Sequence, residues 1–170
     1  QPGGQQHGIQ GQGSEFHVVL DLKRAAAPAV SEAPDGVGGA GDVVLKGKRV
    51  LLAEDNELNW EVARELLSGL ELELDWAENG KICVEKFEKS PFGFYDAIIM
   101  DVRMPVMDGY EATAAIRGLE RPDAELPIIA MTADAFSEDI QRCLACGMND
   151  HLAKPIDIQT VACKLKKYLK

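Results

Sequence analysis

The stretch of residues 97–109, AIIMDVRMPVMDG, joins a short apolar run to an acidic residue, a turn and the start of a helix. Its first four residues are apolar and fit a strand that is buried on both faces. The strand ends directly in Asp101, and Asp108 is placed to cap a helix that begins near Gly109. A buried strand that leads through a tight turn into a helix is the repeating unit of α/β proteins.

The same alternation of strand and helix occurs five times from Lys48 onward. Strands are predicted at residues 50–53, 72–77, 97–100, 127–131 and 151–153. Helices are predicted at 58–69, 81–89, 109–119, 135–146 and 158–169. The first helix is predicted from apolar residues at every fourth position: Leu58, Val62, Leu66 and Leu70. Five alternations require crossover connections, so the fold class is α/β, with a parallel sheet covered by helices on both faces.

Four of the five predicted strands end in a residue that can form ionic or hydrogen-bonded contacts. These residues are Glu54 with Asp55, then Asp101, Thr132 and Lys154. Since ligands of such sheets bind at the carboxyl ends of the strands, we expect these side chains to meet there. Three converging carboxylates need a cation, and Mg2+ suits carboxylates combined with water and phosphate oxygens. The set therefore predicts a phosphoryl group on Asp101, held by the Lys154 ammonium and the Thr132 hydroxyl.

Each of these residues has an ordinary structural interpretation when it is considered alone. An Asp after a strand is commonly a turn former or a helix cap, and Glu, Asp and Lys are common surface residues. The combination favours function, because each residue falls at the end of a separate buried strand.

Residues 48–170 resemble a response-regulator receiver domain. The resemblance rests on the motifs EDN at 54–56, DVRMPVMDG at 101–109, TA at 132–133 and GMNDHLAKP at 147–155. It implies a flavodoxin-like, doubly wound (βα)5 fold with five parallel strands in the order 2-1-3-4-5. It also implies that a phosphohistidine donor phosphorylates Asp101.

The resemblance assigns roles to further residues of the site. Glu54, Asp55, Asp101 and the backbone carbonyl of Arg103 would hold Mg2+, while Thr132 and Lys154 would contact the phosphoryl group. Arg103 would also flank that group and tune its lifetime.

Three further residues have structural roles in this assignment. Pro105 and Gly109 belong to a rigid turn that fixes the height of Asp101, and the Lys154–Pro155 peptide is expected to be cis.

The residue at position 151 departs from the family pattern. The family reports phosphorylation through a Thr or Ser, here Thr132, and an aromatic residue three positions before the Lys. His151 occupies that second position. It either turns inward as a switch residue, as an aromatic side chain would, or is an ordinary solvent-facing strand residue.

The residues before the predicted receiver divide into two segments. Residues 1–24 form a tail in which GQGSEF at 11–16 and an alternating strand pattern resemble the closing strand of a histidine-kinase ATP-binding domain. The alternative is a cloning remnant or an arbitrary linker. Residues 25–47 are rich in Ala, Pro and Gly, which predicts a flexible linker. No ATP-binding core accompanies the tail, so no kinase activity is expected from this piece.

The motifs look most like receivers fused to hybrid histidine kinases. The expected partners are a histidine kinase or its phosphohistidine domain, and a histidine phosphotransfer protein. A stand-alone response regulator is the nearest alternative. An aspartate-nucleophile phosphatase commonly carries a second Asp two residues after its nucleophile, where this chain has Arg103. A receiver-like module that only binds a partner is a further alternative, opposed by the complete set of site residues.

Charge and composition exclude other classes of function. The net charge of −10 opposes binding to nucleic acid or to an anionic membrane. No apolar stretch of membrane-spanning length and no secretory signal is visible, so the fragment is expected to be cytoplasmic, whether or not its parent is membrane-anchored. The pair Cys143 and Cys146 has no further ligands for zinc and precedes Gly147 at a predicted helix end, which favours reduced, packed thiols here and at Cys83 and Cys163.

Overall fold

The computed structural model describes residues 45–133 and 137–169. Its strands are β1 (Arg49–Ala53), β2 (Glu73–Ala77), β3 (Ala97–Asp101), β4 (Ile128–Thr132) and β5 (Asp150–Ala153). Its helices are α1 (Glu57–Leu67), α2 (Gly80–Lys89), α3 (Gly109–Arg117), α4 (Ser137–Ala145) and α5 (Ile158–Tyr168). Short 3-10 turns lie at Ser68–Leu70 and Pro122–Glu125. The predicted tail and most of the predicted linker lie outside the described residues.

The five strands form one parallel sheet in the order β2-β1-β3-β4-β5. This order and the α/β class confirm the prediction. Every residue of β3 and β4 is buried, which is why these strands are continuously apolar up to the polar residue at the end of each. A parallel sheet directs all five carboxyl ends to one edge, where the predicted site residues stand.

Alternate residues of each strand point into two separate cores. One core contains Leu51, Ile98 and Ile128 together with Phe87 of α2 and Ile116 of α3. The other contains Leu52, Ile99 and Ile129 with residues of α1 and α5, such as Leu67 and Val161. Leu45 is also buried in this second core, and its carbonyl accepts a hydrogen bond from the backbone N–H of Lys48. The sheet is thus covered on both faces, as predicted.

The apolar face predicted for α1 is wrong at its beginning. The residues of α1 that are buried are Trp60, Ala63 and Leu67, whereas Leu58 and Val62 are 67% and 58% exposed. An α-helix turns by about 100° per residue, so a spacing of four advances the position by about 40° at each step. The predicted stripe therefore slides around the helix, and only its later members, Leu66 and Leu70, pack against the core.

The structure bears on the predictions of packed thiols and of no membrane-spanning segment. All four thiols are free, and Cys83 and Cys143 are buried, as predicted. The packed position predicted for Cys163 is wrong, because its side chain is exposed. Burial raises the pKa of the Cys83 thiol to about 12 and also raises that of Cys146, which is the opposite of a reactive thiol. Among the described residues, no helix is both long and apolar enough to cross a membrane.

Candidate functional site

Three carboxylates converge where β1 and β3 end. Asp101 is the last residue of β3 and Glu54 directly follows β1; both are buried, while Asp55 is exposed. One oxygen of each of the three carboxylates lies within 4.8 Å of the others. The oxygens are hard ligands at a spacing that a divalent cation can bridge. These residues therefore fit a metal site.

Lys154 connects two of the three carboxylates. Its ammonium Nζ lies 2.6 Å from Oδ2 of Asp101 and 2.8 Å from Oε2 of Glu54. The backbone N–H of Lys154 donates to the carbonyl of Thr132, which extends the pairing of β4 with β5 by one residue. Burial lowers the pKa of Lys154, but the bonds to Asp101 and Glu54 outweigh burial and raise it. Lys154 therefore remains positively charged.

The Asp101 carboxylate is poorly solvated for a charged group. Burial raises its pKa above the ordinary value of 3.8, even though Lys154 and the backbone N–H of Arg103, 3.1 Å from Oδ1, favour the ionised form. The nearby charge of Glu54 raises this pKa further. A single ammonium thus leaves the three carboxylates short of positive charge, and a bound divalent cation would supply it.

The side chain of Glu54 is held by the beginning of α1. Its Oε1 accepts hydrogen bonds from Nδ2 of Asn59 at 3.0 Å and from the backbone N–H of Asn56 at 3.3 Å. The side chain of Asn56 in turn caps α1 by accepting from the N–H groups of Leu58 and Asn59. Sequence reasoning missed Asn59. Its position one helical turn after the acid pair, on a helix that starts at the site, is a signal that could have identified it.

The loop after β3 packs closely against Asp101. A Cβ atom on Gly109 would lie 2.4 Å from the backbone oxygen of Asp101, so only glycine fits there. Asp108 caps α3 as predicted, and its capping box with Glu111 is complete. Val106, at the tip of the loop, has a φ of 73°, and the N–H of Met107 donates to the carbonyl of Pro105 across it.

The remaining predicted residues lie at the end of a strand or close to it. Thr132 is buried at the end of β4, while Arg103 is exposed two residues after Asp101. The Lys154–Pro155 peptide is cis, as predicted. His151 is half-buried on the edge strand β5, with Nδ1 3.7 Å from Oδ1 of Asp150. The metal, phosphoryl and switch roles of these residues stay predictions.

Comparison with known proteins identifies the family. The sequence model of the family described as response regulator receiver domain matches residues 50–166 of this chain. The chain belongs to this family. The predicted receiver domain is thereby confirmed, and with it a place in two-component phosphorelay signalling.

The relatives of this receiver domain include hybrid histidine kinases. It is 40% identical over 135 residues to hybrid signal transduction histidine kinase B of Dictyostelium discoideum, a match that covers 73% of this chain and 7% of that protein. It is 33% identical over 159 residues to the aerobic respiration control sensor protein ArcB of Escherichia coli, covering 94% of this chain and 19% of ArcB. The chain therefore spans a small part of the length of these relatives.

Solved structures of receiver domains resemble this one. The receiver domain of sensor histidine kinase PA1611 from Pseudomonas aeruginosa, with a magnesium ion in its active-site cleft, is 40% identical with a TM-score of 0.65. That match covers 72% of this chain and 98% of the other. The co-crystal structure of Saccharomyces cerevisiae Ypd1 with the receiver domain of Ssk1 gives 28% identity and a TM-score of 0.66, over 74% of this chain and 91% of the matched one.

Proposed function

We propose that this receiver accepts a phosphoryl group from a phosphohistidine onto Asp101, with Mg2+, and passes it to a histidine phosphotransfer protein. The observation that carries the proposal is the position of the Asp101 carboxylate. It is buried, 2.6 Å from the Lys154 ammonium and beside two further carboxylates. A carboxylate in this setting has a charged donor ready for a group that becomes attached to it.

Glu54, Asp55 and Asp101 would hold the Mg2+ ion, together with the backbone carbonyl of Arg103. The hard oxygen donors and the shortage of positive charge support this assignment, as does the magnesium ion in the PA1611 receiver. When it is bound, Mg2+ neutralises charge on the carboxylates and on the phosphoryl oxygens.

The chain's own residues perform the transfer. An oxygen of the ionised Asp101 attacks the phosphorus atom, the P–N bond to the donor imidazole breaks, and its electron pair returns to the imidazole nitrogen. Lys154, which already lies against this carboxylate, and the hydroxyl of Thr132 donate to the phosphoryl oxygens. Because these donors are fixed by strand ends, little reorganisation is needed as negative charge shifts during transfer. Thr132 and His151 would then report the change.

The exposed face of α1 supports a protein partner of the site. Leu58 and Val62 are largely exposed apolar side chains. Val62 also lines a groove of about 380 Å³, which reaches Glu54 and Lys154 and is lined as well by Pro155 and Ile156. A histidine phosphotransfer protein that covers this apolar surface would place its imidazole over Asp101. The resemblance to the receiver in the Ypd1–Ssk1 complex supports the same class of partner.

The parent protein is proposed to be a hybrid histidine kinase. The alignment with ArcB covers 94% of this chain, more than residues 50–166 that the receiver family model matches. This extent supports residues 1–24 as part of a kinase ATP-binding domain and residues 25–47 as the linker to a receiver at 48–170.

The test is direct phosphorylation. The native chain and Asp101→Asn are incubated with Mg2+ and phosphoramidate, and intact mass is measured over time. We expect one added phosphate on the native chain and none on the variant. A native chain that stays unlabelled would instead indicate a module that only binds a partner, and rapid hydrolysis of unrelated phosphate esters would indicate a phosphatase.

A further inference from the structure

Two tryptophans stack beside the acidic cluster. Trp60 of α1 and Trp76 of β2 have ring centroids 5.7 Å apart and planes inclined by only 3°. Trp76 also donates from its indole Nε1 to the backbone carbonyl of Glu54, at 2.8 Å. The two rings therefore share one stack, but of the two indole N–H groups, within the described residues, only that of Trp76 donates to the main chain of the site.

The bond from Trp76 fixes a peptide plane that the site depends on. The carbonyl of Glu54 and the N–H of Asp55 belong to the same rigid peptide unit. The backbone N–H of Glu54 is also hydrogen-bonded to β2, since it donates to the carbonyl of Ala77 at 3.0 Å. Glu54 is thus held by backbone bonds on both sides at the point where β1 ends.

Of the three acidic residues, Asp55 depends most on its backbone for the position of its carboxylate. Its side chain is exposed, and within the described residues it makes no hydrogen bond or ion pair. By contrast, side chains hold the carboxylates of Glu54 and Asp101. The direction in which the Asp55 carboxylate leaves the chain is consequently set by its backbone.

We infer that Trp76 is a positioning residue for the metal-binding acids, acting through the Glu54–Asp55 peptide. The inference rests on the proposed Mg2+ site and deepens it. Stacking on Trp60 limits rotation of the Trp76 ring, so its N–H stays directed at the carbonyl of Glu54. The peptide is then held in place before the cation binds, and less ordering is needed on binding.

If Trp76 served only to pack in the stack, it would be equivalent to Trp60. A matched pair of variants separates this packing role from positioning of the Glu54–Asp55 peptide. Trp76→Phe and Trp60→Phe each leave an aromatic ring in the stack, but only the first removes the bond to Glu54. Mg2+ affinity is measured by calorimetry on the full chain. One hydrogen bond corresponds to a change of about three- to tenfold in an equilibrium constant, so we expect the Mg2+ Kd of Trp76→Phe to rise by that factor. For Trp60→Phe we expect a change within about twofold.

Phosphorylation gives a second readout that a merely structural role would not produce. Labelling of Trp76→Phe by phosphoramidate should be slow at low Mg2+ and should recover to the native rate at saturating Mg2+. Melting in EDTA checks that both variants are folded.

The outcomes separate this inference from the proposed function. If native protein and Trp76→Phe bind Mg2+ equally, or if both variants lose the same affinity, the positioning role is overturned while the phosphoacceptor proposal stands. Failure of the native chain to bind Mg2+ overturns the proposed metal site and the inference together.

Discussion

The ammonium of Lys154, at the end of β5, lies 2.6 Å from Oδ2 of Asp101, at the end of β3. The same ammonium is 2.8 Å from Glu54, so it is the positive charge that these two buried carboxylates share in this structure. A cation bound to the acids and the Lys154 ammonium therefore act on the same negative charge. This arrangement links the stability of the fold to Mg2+.

Lys154→Met should make the chain more dependent on Mg2+ for stability. Removing one partner leaves buried carboxylates uncompensated, and we expect a loss of about 1 to 3 kcal/mol in EDTA, less than for a fully enclosed pair. Excess Mg2+ should recover much of that loss, so the rise in Tm on adding Mg2+ should exceed the rise in native protein. Thermal melting with and without Mg2+ measures both.

Lys86→Met is the matched control for that substitution. Lys86 pairs with Asp75 at 2.7 Å, away from the three carboxylates, and its loss changes the net charge equally. It should respond to Mg2+ as native protein does. Identical Mg2+ responses in Lys154→Met and Lys86→Met would show that Mg2+ and the Lys154 ammonium do not act on the same negative charge.

The positions of Asp101 and Lys154 could be predicted because their signal is local. A short apolar run that ends in an ionisable residue gives both the strand and its carboxyl end, and the parallel topology then brings those ends together. Contacts between residues that are distant in the sequence could not be predicted from such a local pattern. Trp76 stacks on Trp60 and donates to the carbonyl of Glu54, and both partners are distant from it in the sequence. Leu58 is exposed and Trp60 is buried because of the way α1 lies on the sheet.

Gly109→Ala should destabilise the chain and slow phosphorylation. The added Cβ would meet the backbone oxygen of Asp101 at 2.4 Å, and main chain at the end of a buried strand cannot move aside easily. We expect a loss of about 1 to 3 kcal/mol in urea unfolding. Gly118→Ala is the control, since its Cβ would be 3.4 Å from the carbonyl of Ala114 in ordinary helical backbone. Equal unfolding free energies for the two variants would refute the packing argument.

Val106→Asn should stabilise the chain. Val106 holds a φ of 73°, a left-handed conformation that is costly for a β-branched residue and tolerated by Asn. It is 77% exposed, so little packing is lost, and we expect a gain of about 0.5 to 1 kcal/mol in urea unfolding. Val62→Asn, at an exposed site in helical backbone, should stay within about 0.5 kcal/mol of native. A Val106→Asn variant less stable than native would show that the loop is not strained.

The backbone at Val106 also marks a limit of sequence reasoning. The residues Pro105, Asp108 and Gly109 indicated a turn and a capped helix, and both are present. Glycine or asparagine would have indicated a left-handed position, whereas valine indicates the opposite. The left-handed conformation of Val106 lies in a loop whose end, at Gly109, packs closely against Asp101 in the folded chain.

Asp150→Asn should cost stability at neutral pH and much less in acid. Burial opposes ionisation of Asp150, but hydrogen bonds from Lys164, the N–H of His151 and Lys167 outweigh it and hold the pKa of the carboxyl well below 3.8. A depressed folded-state pKa stabilises the fold above the unfolded pKa, and this contribution is lost as the pH falls toward the folded value.

The difference in unfolding free energy between native protein and Asp150→Asn measures this contribution. We expect about 1 to 2 kcal/mol at pH 7 and a progressively smaller difference below about pH 4. Glu61→Gln, an equal change of charge on the exposed face of α1, controls for net charge. A difference for Asp150→Asn that does not vary with pH would show that its ionisation does not stabilise the fold.

Val62→Glu should impair phosphoryl transfer from a protein donor and leave small-molecule labelling intact. Val62 is 58% exposed and lines the groove beside Glu54 and Lys154, so a carboxylate there would be desolvated beneath a docked partner. We expect transfer from a phosphorylated histidine phosphotransfer protein to be slower by about fivefold or more, which corresponds to about 1 kcal/mol.

Phe92→Glu is the control, because it makes a similar change at a side chain that is 72% exposed. Phe92 lies before β3 and thus at the amino ends of the strands, opposite the site. Rates are followed by loss of phosphate from the donor, with phosphoramidate labelling in parallel. If Val62→Glu and Phe92→Glu accept phosphate equally fast from the protein donor, the partner approaches Asp101 from another side.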